Sequence, residues 1–363
     1  MSIFLAAFAL SATLTLWMVH VLRTRGWVTL DHDLDGPQKV HRRPVGRVGG
    51  VAVFLTLAAF ALWDQWRHAR LGGLPTMLLL CGVPVFAVGL AEDLTKRIAP
   101  WQRLVAAAVS ALLAAFLLGT AISRTDLWGL DWLASFAVGA VALSVFAVAG
   151  MANAINIIDG FNGLASMCVL MILLAVAYVA LQVNDELVLA LAVAGAGAVL
   201  GFFIWNYPAG LIFLGDGSAY FLGFYLAEVA LLLLVRNPQV SPLFPLLAAV
   251  YPAFETVFSM YRRRLVKGRP VGMPDGVHLH SLVHRRLLRW AIGRDDASTL
   301  LRRNSMTAPY LWVLCMAAVV PSVLFWDDSR ILGAFILLFA VVYIALYVKI
   351  VRFKAPRWLK SRR

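Results

Sequence analysis

In the stretch NAINIIDGFNGLA, three polar side chains recur at three-residue steps: Asn153, Asn156 and Asp159. On a helix those positions fall near one face, and Gly160 and Gly163 then permit a break. Two amides and a carboxylate gathered at a helix end suit a nucleoside or a metal-bound diphosphate. A capping role for Asp159 alone would not explain the recurrence. Four other segments carry related chemistry. In FLGDGSAYFLG, Asp216 stands between Gly215 and Gly217. Backbone can approach a ligand closely there, and the lone carboxylate suits Mg²⁺; Asp216 can also cap the following helix at its positive end. In GLAEDLTKRIAPWQRL, Glu92 and Asp93 are adjacent at the end of an apolar run. Carboxylates so placed require cations or a metal, and Lys96 and Arg97 are close in sequence.

The remaining two segments are basic. DGPQKVHRRPVGRVGG, from Asp35 to Gly50, has the Gly and Pro density of an ordered turn. Its Lys39, His41, Arg42, Arg43 and Arg47 could meet anionic groups, or simply form a basic loop at a membrane border. In RRRLVKGRPVGMPDGVHLHSLVHRRL, His278, His280 and His284 lie among arginines. Two of these histidines are four apart, as in zinc-binding helices, but there is no HExxH glutamate and no nearby Cys. Phosphate groups suit this mixture better. Glu228 and Glu255 fall inside apolar runs and are candidate functional groups by default.

The elements that must position these groups follow from composition. The chain has 363 residues, 61% hydrophobic and 14% charged, whereas soluble domains carry about 45–50% apolar and about 25% charged residues. An all-α bundle of transmembrane helices is expected. Eleven runs are long enough to span: 2–22, 48–66, 75–91, 104–122, 132–151, 164–182, 186–205, 217–235, 241–261, 308–326 and 331–350. With the N-terminus outside, 27 of the 32 Lys and Arg fall on inner segments. The positive-inside bias therefore predicts a periplasmic N-terminus and a cytoplasmic C-terminus, and it puts all five polar segments on the cytoplasmic side.

The net charge of +13 is accounted for by these borders and does not imply nucleic acid. The first run has no basic region ahead of it, and Arg23 and Arg25 follow it. It reads as a span rather than a cleaved signal peptide. Cys81, Cys168 and Cys315 sit in apolar runs without metal or disulfide spacing. No linker or internal repeat divides the chain, so residues 1–363 read as one domain, with 262–307 as a large cytoplasmic loop within it. A secondary transporter would place its polar groups near the midplane and repeat between its halves. There is also no GxSxG, P-loop, GxGxxG, CxxC or EF-hand pattern.

In order and spacing, the five segments resemble those of the polyprenyl-phosphate N-acetylhexosamine-1-phosphate transferases. This family includes bacterial undecaprenyl-phosphate N-acetylglucosamine-1-phosphate transferases and the phospho-muramoyl-pentapeptide transferase of peptidoglycan synthesis. The resemblance runs from about residue 1 to 350. It implies transfer of a sugar-1-phosphate from a UDP-sugar to undecaprenyl phosphate, with release of UMP, at the cytoplasmic face of the bacterial inner membrane. It implies Mg²⁺, or Mn²⁺ in its place, and leaves a homodimer open. Asp35, Lys39 and His41 match the family's first inner loop, and Glu92 and Asp93 stand where the family usually has two Asp, which implies that one of them deprotonates or orients the lipid phosphate, with Asp159 as a further catalytic candidate. Asn153, Asn156 and Asp159 match its nucleotide-recognition segment, with Asn162 where Asp is common; Asp216 matches its Mg²⁺ ligand. Asp275, His278 and His280 match its last inner loop, where Arg269 could share phosphate charge. The HLH form is closer to the N-acetylglucosamine branch, which starts O-antigen-like cell-surface polysaccharides. The peptidoglycan branch tends to have consecutive histidines.

Overall fold

The computed structural model describes residues 1–25, 45–67, 70–266, 277–292 and 297–352, and all regular structure among them is helical. In chain order the helices are α1 (Ser2–Arg25), α2 (Gly49–Trp66), α3 (Leu74–Thr95), α4 (Pro100–Leu117), α5 (Leu130–Ala134), α6 (Ala137–Ile158), α7 (Leu164–Gln182) and α8 (Glu186–Asn206). There follow α9 (Asp216–Arg236), α10 (Leu243–Ala248), α11 (Val250–Tyr261), α12 (Leu279–Leu282), α13 (Arg289–Ile292), α14 (Ala297–Leu324) and α15 (Ser329–Arg352). In hydrocarbon every backbone polar group must be satisfied internally, so apolar runs of this length fold as helices. Ten of them, among the described residues, are long and apolar enough to cross a membrane.

Three of the expected spans differ in form; the run 308–326 is extended back to Ala297 as α14, so the end of the expected loop 262–307 is helical. The run 241–261 is divided at Ala249 into α10 and α11, which leaves ten continuous spans rather than eleven. Pro252 has no N–H to bond the carbonyl of Ala248, and its ring crowds that carbonyl, so the helix breaks one turn before it. The run 132–151 is also displaced. The short α5 ends at Ala134, Phe136 is extended, and α6 runs from Ala137 to Ile158. Asn153 and Asn156 thus stand on the last turns of a spanning helix.

The centre of the bundle is α7, α8 and α9. In α9, 83% of the most apolar stretch is enclosed, against 22% in α1 and α15, which lie at the periphery. Peripheral α1 is tied to α8 by polar groups that would otherwise meet lipid. The Ser11 hydroxyl donates to the carbonyl of Ala198 at 2.6 Å, and the Trp205 indole N–H donates to that of Ala12 at 3.0 Å. The crossing of α3 and α9 is closer still. A Cβ on Gly89 would lie 2.4 Å from the Cα of Gly217, so both glycines are there to let the two backbones meet. This contact joins the segment bearing Glu92 and Asp93 to the one bearing Asp216.

Candidate active site

The first turn of α9 is the hub of the site. Its leading N–H groups have no partners within the helix. Asp93, on the last turn of α3 and only 4% exposed, supplies them. One of its oxygens accepts from the backbone N–H of Asp216, and the other from that of Gly217, both at 2.9 Å. Gly215 precedes this turn at φ 86°, where a side chain would be strained. A Cβ there would also lie 2.0 Å from the carbonyl oxygen of Arg47. The entry to α2 is bound to the same segment: the N–H groups of Gly49 and Gly50 donate to the carbonyls of Phe213 and Leu214 at 2.9 and 3.1 Å.

Asp216 is thereby held with its carboxylate facing two other helices. One oxygen accepts from the Asn156 amide of α6 at 3.1 Å, and the other pairs with the Arg103 guanidinium of α4. Arg103 also lies 5.6 Å from the ring centroid of Tyr220, whose hydroxyl donates to Asn153 at 3.0 Å. Asn153, Tyr220, Arg103, Asp216 and Asn156 therefore form one polar cluster drawn from α4, α6 and α9. Asp159 caps the C-terminal end of α6 and is half-buried. Burial pushes its carboxyl up to about 8, with Arg47 opposing the rise and Asp93 adding to it.

His280, on α12, lies against the connection between α6 and α7. His280 is buried and meets the ring of Phe161 edge-on at 5.5 Å; its Nε2 lies 3.8 Å from where a Cβ on Gly160 would be. The ring of His278 is stacked on that of His280 at 5.0 Å, 7° from parallel. His284 faces elsewhere: it accepts from Arg303 at 3.3 Å and lies 3.2 Å from the Thr307 hydroxyl. Among the described residues, no three His, Cys, Asp or Glu side chains converge as a closed metal cage. Mg²⁺ does not need one, since it is held by one or two carboxylates together with phosphate and water. The donors at the site are oxygens, and Asp216 already carries a cation, the Arg103 guanidinium. Such a set of oxygens could hold Mg²⁺, with Asp216 as a candidate ligand.

Of the residues expected from sequence, Asp93, Asn153, Asn156, Asp159, Asp216, His278 and His280 come together at one end of the bundle. Glu92 turns to the α3–α4 connection, where it accepts from the N–H of Ile98 at 2.7 Å. Asp35, Lys39, His41, Arg269 and Asp275 lie outside the described residues. Asn162 is structural, donating to the carbonyl of Pro208 at 2.9 Å. A cavity of about 30 Å³ beside Arg124 and Pro242 is at the opposite end and takes no part.

Arg103 and Tyr220 were not anticipated. The signal for Arg103 is its place in the first turns of α4, where the positive helix end disfavours a cation unless an acid compensates it.

Residues 75–234, which span most of these elements, match the model of glycosyl transferase family 4. The chain is 27% identical over 326 residues to a probable undecaprenyl-phosphate N-acetylglucosaminyl 1-phosphate transferase of Bacillus subtilis (strain 168), covering 88% of this chain and 84% of that one. It is 29% identical over 259 residues to an undecaprenyl-phosphate alpha-N-acetylglucosaminyl 1-phosphate transferase of Thermotoga maritima, covering 71% and 75%. A phospho-N-acetylmuramoyl-pentapeptide-transferase of Streptococcus thermophilus is 28% identical over 198 residues, covering 51% and 56%. The matched stretch carries Glu92, Asp93, Arg103, Asn153, Asn156, Asp159 and Asp216, so the part of the chain that holds the candidate site is similar to glycosyl transferase family 4, and the N-acetylglucosaminyl relatives align along most of the chain's length.

Proposed function

We propose that this protein transfers an N-acetylhexosamine-1-phosphate from a UDP-sugar to undecaprenyl phosphate, at the cytoplasmic face of a bacterial inner membrane, and so starts a cell-surface polysaccharide. The observation that carries this reading is the gathering of Asp216, Asn156, Asn153 and Arg103 at the α9 N-terminus, with Asp159 and His280 adjacent. The longer matches to the N-acetylglucosaminyl relatives favour that branch over the pentapeptide one.

In the reaction, an oxygen of the lipid phosphate attacks the phosphorus that bears the sugar. A new P–O bond forms, the bond to the bridging diphosphate oxygen breaks, and UMP leaves with that bond's electron pair. Mg²⁺ would neutralise charge building on the departing phosphate, held by Asp216 with Asp159. The chain's own residues do the positioning on which phosphoryl transfer depends. Asp93 fixes the first turn of α9 and with it the carboxylate of Asp216. Asn156 orients that carboxylate, while Asn153 and Tyr220 line the approach of the nucleotide. Arg103 and His280 share the charge of the leaving phosphate. Both oxygens of Asp93 are engaged by backbone, so its part is positioning.

The test uses purified full-length protein in detergent with undecaprenyl phosphate, Mg²⁺ and a panel of UDP-N-acetylhexosamines. Formation of a lipid-linked sugar with stoichiometric UMP is expected with at least one donor. No lipid product and no UMP with any donor would refute it.

A further inference from the structure

Glu255 lies on α11, just after the break caused by Pro252, and is 1% exposed. Its carboxylate gathers three hydrogen bonds from two other parts of the chain. One oxygen lies 2.9 Å from Nδ1 of His278 and accepts from the backbone N–H of Leu279 at 3.1 Å. The second accepts from the Tyr343 hydroxyl of α15 at 2.7 Å. With all three partners donating, the carboxylate needs no proton of its own, and His278 must carry one on Nδ1. Nε2 of the same ring lies 3.1 Å from a guanidinium nitrogen of Arg263. A guanidinium can only donate, so Nε2 presents its lone pair. The two partners together select the Nδ1–H tautomer and hold the ring plane.

That ring plane is the one on which His280 stacks, and His280 in turn lies over Gly160 beside Asp159. Glu228 provides the contrast within the same protein. It too is 1% exposed, yet its oxygens have no such set of donors among the described residues, with only the Thr120 hydroxyl near them. Burial alone therefore does not account for the arrangement around Glu255.

We propose that Glu255 is a positioning residue that fixes the tautomer and orientation of His278, and through the stacked pair sets His280 against the diphosphate of the sugar donor. The proposal rests on the transferase reading above. In metal sites the carboxylate behind a ligating histidine is typically worth about 10–100-fold in affinity or activity, and an effect at the low end of that range is expected here.

Two measurements test it. In ¹⁵N-histidine spectra of the full-length protein, with His278 assigned by its loss in His278→Gln, His278 is expected as the Nδ1–H tautomer; the Nε2–H tautomer would overturn the assignment. In the UMP-release assay, Glu255→Gln keeps the side-chain shape and removes the charge. The KM for the UDP-sugar should rise about tenfold, with the KM for undecaprenyl phosphate unchanged, and Glu255→Asp should recover part of the loss. A merely structural residue would lower the active fraction, and hence kcat, with both KM values unmoved; that result would overturn the proposal. If wild-type protein makes no lipid product, the transferase reading fails, and the tautomer measurement still decides the Glu255–His278 contact.

Discussion

Asp185 and Asp159 are both aspartates at helix ends, at opposite ends of the bundle. Asp185 begins α8, where the helix end is positive; Asp159 ends α6, where it is negative. Asp185 accepts from Arg236 at 2.7 Å, from Asn237 at 2.9 Å and from the N–H of Val188 at 3.2 Å. Burial would push its carboxyl up, but these partners hold it below the usual range. Asp159 is pushed up to about 8 by burial, with Asp93 adding to the rise. At the Asp185 end Arg124 likewise donates to the carbonyls of Pro238 and Val240, at 2.8 and 2.7 Å. One end thus meets its electrostatic needs from within the chain. The other keeps an acid in a place where an incoming cation would relieve it, which is how active sites commonly differ from structural ion pairs.

The contrast can be broken most sharply at Asp216. Asp216→Asn should lower UMP release by about 10³-fold while the melting temperature in detergent stays near that of wild type. Full activity in this variant would make the site end just another packed helix terminus. At the other end the effects should be reversed. Arg236→Ala leaves the buried carboxylate of Asp185 without its cation and should cost about 1–3 kcal/mol of stability, read as a lower denaturation midpoint. Turnover per folded molecule should be unchanged, and a fall in it would couple the two ends.

A pH series sharpens the comparison further. The folded protein holds a proton on Asp159 up to about 8, whereas the unfolded chain releases it near 3.8. Between those values the folded state binds more protons, so stability falls as pH rises through the window. Asp159→Asn should flatten that fall in melting curves recorded from pH 5 to 9; an unchanged slope would mean that other groups cause it. The smallest effect is expected at Glu228, which belongs to neither end. Glu228→Leu removes a buried carboxylate that makes no hydrogen bond of normal geometry and should raise stability by about 1 kcal/mol with activity intact. Lost activity would give Glu228 a function.

Much of this arrangement was legible in the sequence, because lipid leaves a chain few options. The long apolar runs had to be helices, and the three-residue recurrence of Asn153 and Asn156 survives as a shared helix face. The break at Ala249 was hidden because Pro245 and Pro252 lie in a run whose hydropathy is uninterrupted. The displaced start of α6 was hidden for the same reason, since Trp132, Leu133 and Phe136 are as apolar as the span that follows. The partnership of Arg103 and Asp216 could not be read locally, for the two are 113 positions apart. Nor could the use made of Asp93. The resemblance implied a group that deprotonates or orients the lipid phosphate, and only the α3–α9 crossing shows both oxygens bound to backbone.

The guanidinium on Asp216 has a consequence for how a metal would enter. Loading would be an exchange, in which a divalent ion competes with a tethered cation that never diffuses away. The observed affinity would be the difference between two ion pairs, not the strength of one. Arg103, once displaced, would be left beside the newly bound phosphates with its charge unspent. The same residue could thus hold the carboxylate in readiness and then pass to the substrate.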